Sequence, residues 1–126
     1  MTRFMVDTDV LVWVLRGKAE AVAWLEAAAT EGRLLCSALT VSELFRMVRQ
    51  DELRKTEALI AGLQVVPVLY EDARRAADMM RDRGPGYVDC HIAAAALRMK
   101  SPVMTYNQRD FSRTGVTLVT PPDSTT

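Results

Sequence analysis

The sequence predicts an α/β fold in which helices lie on both faces of a central, mostly parallel sheet of four to five short strands. Short apolar runs alternate along the chain with longer segments of helical periodicity, and the connections between them are short. Residues 89–100 are apolar on every side, which is typical of a central helix. We expect one domain over residues 1–126, because this length can bury a core without disulfides or structural zinc.

Helices are predicted where apolar residues recur at three- and four-residue spacing and where residues that start or stop a helix flank them. Gly17 and Gly32 end the first two helices, and Thr40 is expected to cap the third. A Gly-Pro-Gly loop at residues 84–86 ends the fifth. The predicted helices are residues 8–16, 19–30, 41–49, 52–63, 71–83 and 89–100.

Five short apolar runs between these helices are predicted to be strands, at residues 3–7, 34–37, 64–69, 102–106 and 116–119. Cys36 lies in the second run, and Cys90 begins the last helix. Neither cysteine has metal-ligand spacing or a nearby partner, so we expect both to be small core residues. The tail, residues 121–126, is expected to fray.

Charge and hydropathy exclude some classes of function. Sixteen basic and sixteen acidic residues cancel, so no global basic field attracts nucleic acid and any RNA contact must be local. Asp7 and Asp9 interrupt the apolar start of the chain, which excludes a signal-peptide core. No apolar run reaches transmembrane length, so we expect a cytoplasmic protein without a membrane contact.

Four carboxylates stand where a short apolar run meets polar chain: Asp7, Glu43, Asp89 and Asp110. Asp7 directly follows the first strand, and ligands of open α/β sheets bind at the carboxyl ends of the strands. Acids placed in this way can converge on one pocket. The pattern favours a site for hard cations built from oxygen ligands, where two Mg²⁺ or Mn²⁺ ions would support phosphodiester chemistry.

Each acid alone has a simpler interpretation. Asp7 or Asp89 could cap the helix that follows it, and Glu43 could complete a capping box with Thr40. Asp110 lies with Asn107 in an ordinary polar turn. Capping alone does not predict a strand-end acid, two helix-start acids and an Asn-x-x-Asp turn in one chain.

Four segments carry a resemblance to a known family: residues 6–11 (VDTDVL), 40–44 (TVSEL), 89–94 (DCHIAA) and 105–111 (TYNQRDF). They resemble the four motifs of PIN-domain ribonucleases, in the family's order, and the resemblance spans residues 4–120. The small size and the Leu15-Arg16-Gly17 ending of the first helix resemble the VapC toxins of toxin–antitoxin pairs.

The resemblance implies a PIN-like α/β/α sandwich and an endoribonuclease that depends on Mg²⁺ or Mn²⁺. The acidic quartet would be Asp7, Glu43, Asp89 and Asp110, with Thr8 or Thr105 orienting water or ligand and Asn107 beside the fourth acid. We assign Asp7, Asp89 and Asp110 as metal ligands, and Glu43 as a ligand or the carboxylate that orients the attacking water. RNA phosphates need cations near the motifs, and the candidates are Arg16, Lys18, Arg46 and Arg109.

Two positions depart from the family pattern. Asp9 stands where many relatives have Asn, which adds a fifth carboxylate, and we expect Asp9 to cap the helix. His91 stands where a small or apolar residue is common. A lone histidine beside an apolar stripe is usually a packing residue, and we expect that role for His91.

A cognate antitoxin and a homodimer are the protein partners that we expect. Residues 41–63 carry more apolar side chains than a peripheral hairpin needs, and an antitoxin groove would use the surplus. The alternative is that these side chains belong to the core, which we expect for about half of them. The apolar residues are Leu44, Phe45, Met47, Val48, Leu53, Leu59 and Ile60.

Three other functions compete. A phosphatase of the haloacid dehalogenase type also has Asp-x-Asp after its first strand, but its motif continues with Gly-Thr, whereas Val10 and Leu11 follow here. A phosphoacceptor receiver module needs an acceptor Asp after the third strand and a Lys after the fifth, and the chain has neither. A degenerate, non-catalytic binder is the third alternative, and the presence of all four acids argues against it.

Overall fold

The computed structural model describes residues 2–82 and 85–122. Within them, a five-stranded sheet has the order β3-β2-β1-β4-β5, and all neighbouring strands pair in parallel. The strands are β1 (Arg3–Val6), β2 (Arg33–Ser37), β3 (Gln64–Val66), β4 (Val103–Met104) and β5 (Leu118–Val119). The helices are α1 (Thr8–Leu15), α2 (Ala19–Glu31), α3 (Ala38–Met47), α4 (Leu53–Ala61), α5 (Tyr70–Arg81), α6 (Tyr87–Met99) and α7 (Gln108–Phe111), with a 3₁₀ helix at Gln50–Glu52.

Side chains alternate along the strands between the two faces of the sheet, and each face has its own hydrophobic core. Phe4 and Val6 of β1 pack with α1 and α2 on one face of the sheet, whereas Met5 packs with α6 on the other. Leu35 of β2 and Ile92 of α6 belong to the second core. Because helices cover both faces, the predicted α/β/α architecture is confirmed.

The central helix of the second layer is α6, as predicted. Its residues from Cys90 to Ala96 are all buried, which explains why the segment is apolar on every side. Cys36 and Cys90 are buried free cysteines, so their predicted role as core residues is also confirmed. Gly32 follows α2 at a point where a Cβ atom would collide with the backbone carbonyl of Thr2.

The start of the third helix differs from the prediction. Helix α3 begins at Ala38, and Ser37 is its cap, because the Ser37 hydroxyl accepts a hydrogen bond of 3.1 Å from the Leu39 amide. Thr40 is therefore inside the first turn and fully buried. The predicted cap at Thr40 is wrong, and so is the capping box that it would have formed with Glu43.

Other boundaries shift for local reasons. The third strand ends at Val66, because Pro67 has no amide to continue the ladder, and α5 begins at Tyr70. The last long helix begins at Tyr87 after Gly86, so Asp89 lies within its first turn and does not cap it. Part of the predicted polar turn is the short helix α7.

Some expectations fall outside the described residues. Arg83 and Gly84, where the fifth helix was predicted to end, are among these positions, and so are residues 123–126 of the tail. Within the described part of the chain, none of the helices combines the length and apolar character that crossing a membrane requires.

Candidate metal centre

The strand order determines where the candidate metal centre lies. From β1 the chain moves outward through β2 to β3 and then crosses back to β4 on the other side of β1. The two directions diverge between β1 and β4, which is the position where open α/β sheets bind ligands. Asp7 follows β1 and Thr105 follows β4, so their side chains meet at this point.

Asp7 is held at the centre of the site from three directions. Its amide donates to the carbonyl of Met104 at 2.9 Å, its Oδ1 accepts from the Thr8 amide at 2.8 Å, and its Oδ2 accepts from the Thr105 hydroxyl at 2.7 Å. The carboxyl group is 4% exposed. Asp7 therefore caps α1 and also lies in the cavity, so the two interpretations of this residue are compatible.

Asp9 does not cap α1, which corrects the prediction. Its Oδ2 accepts from the Tyr106 amide at 3.2 Å and lies 3.5 Å from the Thr105 hydroxyl, so it ties the first turn of α1 to the end of β4. The hydroxyl proton of Thr105 goes to the nearer carboxylate, Asp7. The other oxygen of Asp9 is buried without a hydrogen-bond partner among the described residues.

A cavity of about 350 Å³ opens beside these residues. Its polar lining combines four carboxylates, a hydroxyl, an amide and a guanidinium: Asp7, Asp9, Glu43, Asp89, Thr8, Asn107 and Arg16. Its apolar lining is Val12, Trp13 and Met47. Three of the four predicted catalytic acids therefore share one cavity with Asp9.

Asp110, the fourth predicted acid, lies at the margin. It is half-buried on α7, and its Oδ2 accepts a hydrogen bond of 3.1 Å from the side-chain amide of Asn107. Asn107 itself lines the cavity, and its backbone amide donates to the Thr105 hydroxyl at 2.8 Å. The Asn-x-x-Asp turn thus connects Asp110 to the cavity through Asn107.

The two threonines have different positions. Thr105 is fully buried and donates to Asp7, so it orients a carboxylate of the site. The hydroxyl of Thr8 lies 3.0 Å from that of Thr40, which connects α1 to α3 beneath the cavity. This buried bond explains why Thr40 is inside the helix and helps to fix the helix that carries Glu43.

His91 is a packing residue, as predicted. It is 5% exposed, its Nδ1 lies 2.8 Å from the carbonyl of Tyr87, and the two rings pack with centroids 4.5 Å apart. It does not line the cavity that contains the acids.

Burial raises the pKa values of Asp7, Asp9 and Asp89, and neighbouring negative charges add to the effect at Asp7 and Asp89. Burial, and then the negative charge of Asp9, raise the pKa of Asp7 from 3.8 to about 8 against the opposing hydrogen bond from Thr105. Burial also raises the pKa of Asp9. Burial and the charges of Glu43, Asp9 and Asp110 raise the pKa of Asp89 to about 6.

These properties fit a divalent cation. The cavity offers hard oxygen donors, and the buried, unpartnered oxygen of Asp9 is the kind of atom that a cation would satisfy. Among the described residues, no three carboxylate, imidazole or thiol side chains stand close enough together to hold one ion in this conformation. A bound cation would offset the repulsion between ionised carboxylates and so allow them to approach one another.

The four predicted RNA-contacting cations are not equivalent. Arg16 lines the cavity, and Lys18 lies at its rim, over the rings of Trp13 and Tyr106. Arg46 and Arg109 are exposed and do not line the cavity.

Sequence reasoning missed the apolar wall of the cavity, which includes Val12, Trp13 and Met47. A signal for the first two was present. Asp9, Val12, Trp13 and Arg16 follow the i, i+3, i+4, i+7 spacing of one helix face, and that face begins with an acid of the site.

The raised pKa values lead to an expected pH dependence of stability. In metal-free buffer the native state holds protons on Asp7 and Asp89 that the unfolded chain has already released, so the free energy of unfolding should fall as pH rises from about 4 to about 8. Urea denaturation in EDTA at pH 5 and pH 8.5 measures this. Saturating Mg²⁺ should flatten the dependence, and a stability that rises over this range would contradict it.

Comparison with known proteins places the chain in a family. The PIN domain family model matches residues 4–116. Ribonuclease VapC10 of Mycobacterium tuberculosis is 42% identical over 77 residues, which are 61% of this chain and 58% of that relative's length. The chain therefore matches little more than half of this relative.

The fold resembles solved structures along nearly its whole length. A toxin–antitoxin complex from Klebsiella pneumoniae matches with a TM-score of 0.80 and 22% identity over 93% of this chain and 96% of the other. DNA-bound VapBC from Salmonella typhimurium matches with a TM-score of 0.79 and 25% identity over 95% and 98%. Because the family model covers most of the sequence and the fold agrees, the chain belongs to the PIN-domain family.

Proposed function

We propose that the protein is an endoribonuclease that requires Mg²⁺ or Mn²⁺, acts in the cytoplasm and is neutralised by an antitoxin protein. The observation that carries the proposal is the cavity where Asp7, Asp9, Glu43 and Asp89 meet at the switch point of the sheet. The similarity to a ribonuclease, 42% identical over 77 residues, supports RNA as the substrate.

The position of each carboxylate relative to the cavity indicates the role that we assign to it. Asp7 and Asp89 line the cavity and are the residues that would hold the cation, and Asp110 would support it from the margin through Asn107. Glu43 lines the same cavity from α3 and would act as a further ligand or orient the attacking water molecule. Asp9, through its unpartnered oxygen, adds charge that favours cation binding.

When bound, a divalent cation supplies positive charge against the scissile phosphate and makes water more acidic. The protein supplies the remaining functions. Thr105 fixes the orientation of Asp7 through the hydrogen bond of 2.7 Å, and Arg16 provides a cation for a phosphate at the mouth of the cavity. No side chain is required as a nucleophile.

The rival functions fit less well. Receiver modules have the strand order 2-1-3-4-5, whereas this sheet has the order β3-β2-β1-β4-β5. A phosphatase with Asp7 as nucleophile would carry Gly-Thr after the second Asp of its motif, whereas Val10 and Leu11 follow Asp9 here. A non-catalytic binder gives no reason for buried carboxylates whose pKa values are raised.

The apolar surface open to an antitoxin is smaller than the whole of residues 41–63. Leu44 is fully buried and belongs to the part of this segment that was expected in the core, so it adds no exposed surface for binding. A small groove of about 60 Å³ lies between α1 and α3, with Met47 and Val48 on its wall. We propose that an apolar segment of the antitoxin covers this groove while an arginine of the antitoxin enters the acidic cavity, where it competes with the cation.

The proposed activity has a direct test. Metal-stripped protein should leave a single-stranded RNA intact, and Mg²⁺ or Mn²⁺ should restore cleavage, because the carboxylates alone repel phosphate. Fragments separated by denaturing electrophoresis give the rate. Cleavage that persists at full rate in excess EDTA would rule out the proposed dependence on a cation.

A further inference from the structure

Trp13 forms part of the wall of the acidic cavity, one helical turn beyond Asp9 on α1. It is 39% exposed, whereas Leu11 and Leu15 on either side of it are buried. Core packing therefore does not account for the position of this ring. A large aromatic side chain kept accessible beside carboxylates indicates a surface that contacts a ligand.

The end of α1 places a cation over this ring. Gly17 has φ +77°, its amide donates to the Val14 carbonyl at 3.0 Å, and the Lys18 amide donates to the Trp13 carbonyl at 3.0 Å. This Schellman arrangement turns the chain back over the helix. As a result the Lys18 ammonium lies 4.8 Å from the centroid of the Trp13 ring and 5.2 Å from that of Tyr106.

Arg16 brings a second cation to the same ring. Its guanidinium carbon lies 5.6 Å from the centroid of Trp13, and the residue also lines the cavity. Within residues 2–82 and 85–122, neither Arg16 nor Lys18 has a carboxylate oxygen within 4.0 Å. Both charges are therefore available to a phosphate, although carboxylates line the adjacent cavity.

We propose that Trp13, Lys18 and Arg16 form a subsite for one nucleotide of single-stranded RNA next to the scissile bond. The inference rests on the proposed ribonuclease function and adds how its substrate is held. The indole stacks on the base, and the flexible Lys18 side chain leaves the ring to contact a phosphate. Proteins that bind single strands without reading their sequence combine aromatic platforms with cations in this way.

The charges beside this ring favour RNA. The cationic side chains of Arg16 and Lys18 lie next to the indole and attract the phosphates of a nucleotide that stacks on it. The ring also lines the same cavity as the acids, so a nucleotide stacked on it would lie close to them.

Steady-state cleavage of a short single-stranded RNA by Trp13→Ala protein tests the subsite. We expect KM to rise about tenfold with kcat nearly unchanged, because stacking on an aromatic ring contributes to binding of substrate and transition state alike. Trp13→Phe keeps a stacking surface and should remain near the wild-type KM. Tyr70→Ala is the matched control, since Tyr70 is 82% exposed and lies outside the cavity lining.

A second readout does not depend on cleavage. The chain has two tryptophans, and Trp24 is only 6% exposed, so quenching of the accessible fluorescence reports on Trp13. In an Asp89→Asn background, which keeps the RNA intact, the oligonucleotide should quench this fluorescence. With Trp13→Phe added, the remaining signal of Trp24 should not respond.

The outcomes distinguish a failure of the proposed subsite from a failure of the proposed ribonuclease function. If Trp13→Ala protein has the wild-type KM and RNA causes no quenching, the subsite is wrong while ribonuclease activity of the wild type still stands. If Trp13→Ala keeps its RNA affinity but is no longer silenced by a co-expressed antitoxin, the ring contacts protein and the subsite is also wrong. Quenching without cleavage by the wild type would instead count against the ribonuclease proposal and leave the subsite supported.

Discussion

Asp7→Asn protein should lose RNA cleavage by about a thousandfold or more, which corresponds to about 4 kcal/mol of transition-state stabilisation. Asp7 is the acid at the switch point between β1 and β4, and its side chain lines the acidic cavity. The amide of Asn binds divalent cations far more weakly than a carboxylate. Single-turnover cleavage in saturating Mg²⁺ measures the loss.

The same substitution should stabilise the fold in metal-free buffer. Asn keeps an oxygen that can accept from the Thr8 amide, so the cap of α1 survives, but the buried negative charge is gone. Because the pKa of Asp7 is raised to about 8, the gain should be largest above that pH. We expect the melting temperature in EDTA at pH 8.5 to rise by roughly 5 °C. A sharp fall would mean that Asp7 serves the fold and not a site.

Asp72→Asn protein should show the opposite pair of effects, with a loss of about 2 kcal/mol of stability and unchanged cleavage per folded molecule. Asp72 is 2% exposed, as buried as Asp7, but it accepts hydrogen bonds from Arg98 Nε at 2.8 Å and Nη2 at 3.0 Å and from the Leu69 amide at 3.0 Å. Although burial raises its pKa, the bonds from Arg98 and the Leu69 amide outweigh this and lower it. The carboxylate form therefore stabilises the packing of α5 on α6.

Asp7→Asn and Asp72→Asn together distinguish a buried carboxylate that serves the site from a buried carboxylate that stabilises the fold. Urea denaturation at pH 7 gives the stability of Asp72→Asn, and the rate normalised to folded protein gives its activity. Equal stability of wild type and Asp72→Asn would show that the ion pair with Arg98 contributes little to the fold. If Asp72→Asn protein were fully folded but had lost most of its cleavage activity, Asp72 would belong to the site.

Much of the fold could be predicted because each element carries a strong local signal. The alternation of Phe4, Met5 and Val6 between two cores and the long buried run of α6 from Cys90 to Ala96 are direct consequences of the sequence. Three of the predicted acids line one cavity, because acids at strand ends and helix starts of a parallel sheet point to the same edge.

Local signals failed where a tertiary contact decided the outcome. Ser37 and Thr40 are both good cap residues, and the buried hydroxyl contact between Thr40 and Thr8 takes Thr40 into the helix. Asp9 was expected to cap α1, but the end of β4 offers it the Tyr106 amide instead. Contacts between residues 32 and 97 positions apart leave no trace in a short sequence window.

Titration of metal-stripped protein with Mn²⁺ by calorimetry tests most directly whether the acidic cavity holds the cation. Near pH 7 we expect binding to the wild type with release of protons, because Asp7, with a pKa of about 8, is mostly protonated at this pH and must ionise on binding. The measured heat should therefore change with the ionisation enthalpy of the buffer. Asp72→Asn should bind in the same way, and Asp7→Asn should lose most of its affinity. Equal Mn²⁺ affinity of wild type and Asp7→Asn, or no Mn²⁺ binding by the wild type, would contradict a metal centre in this cavity.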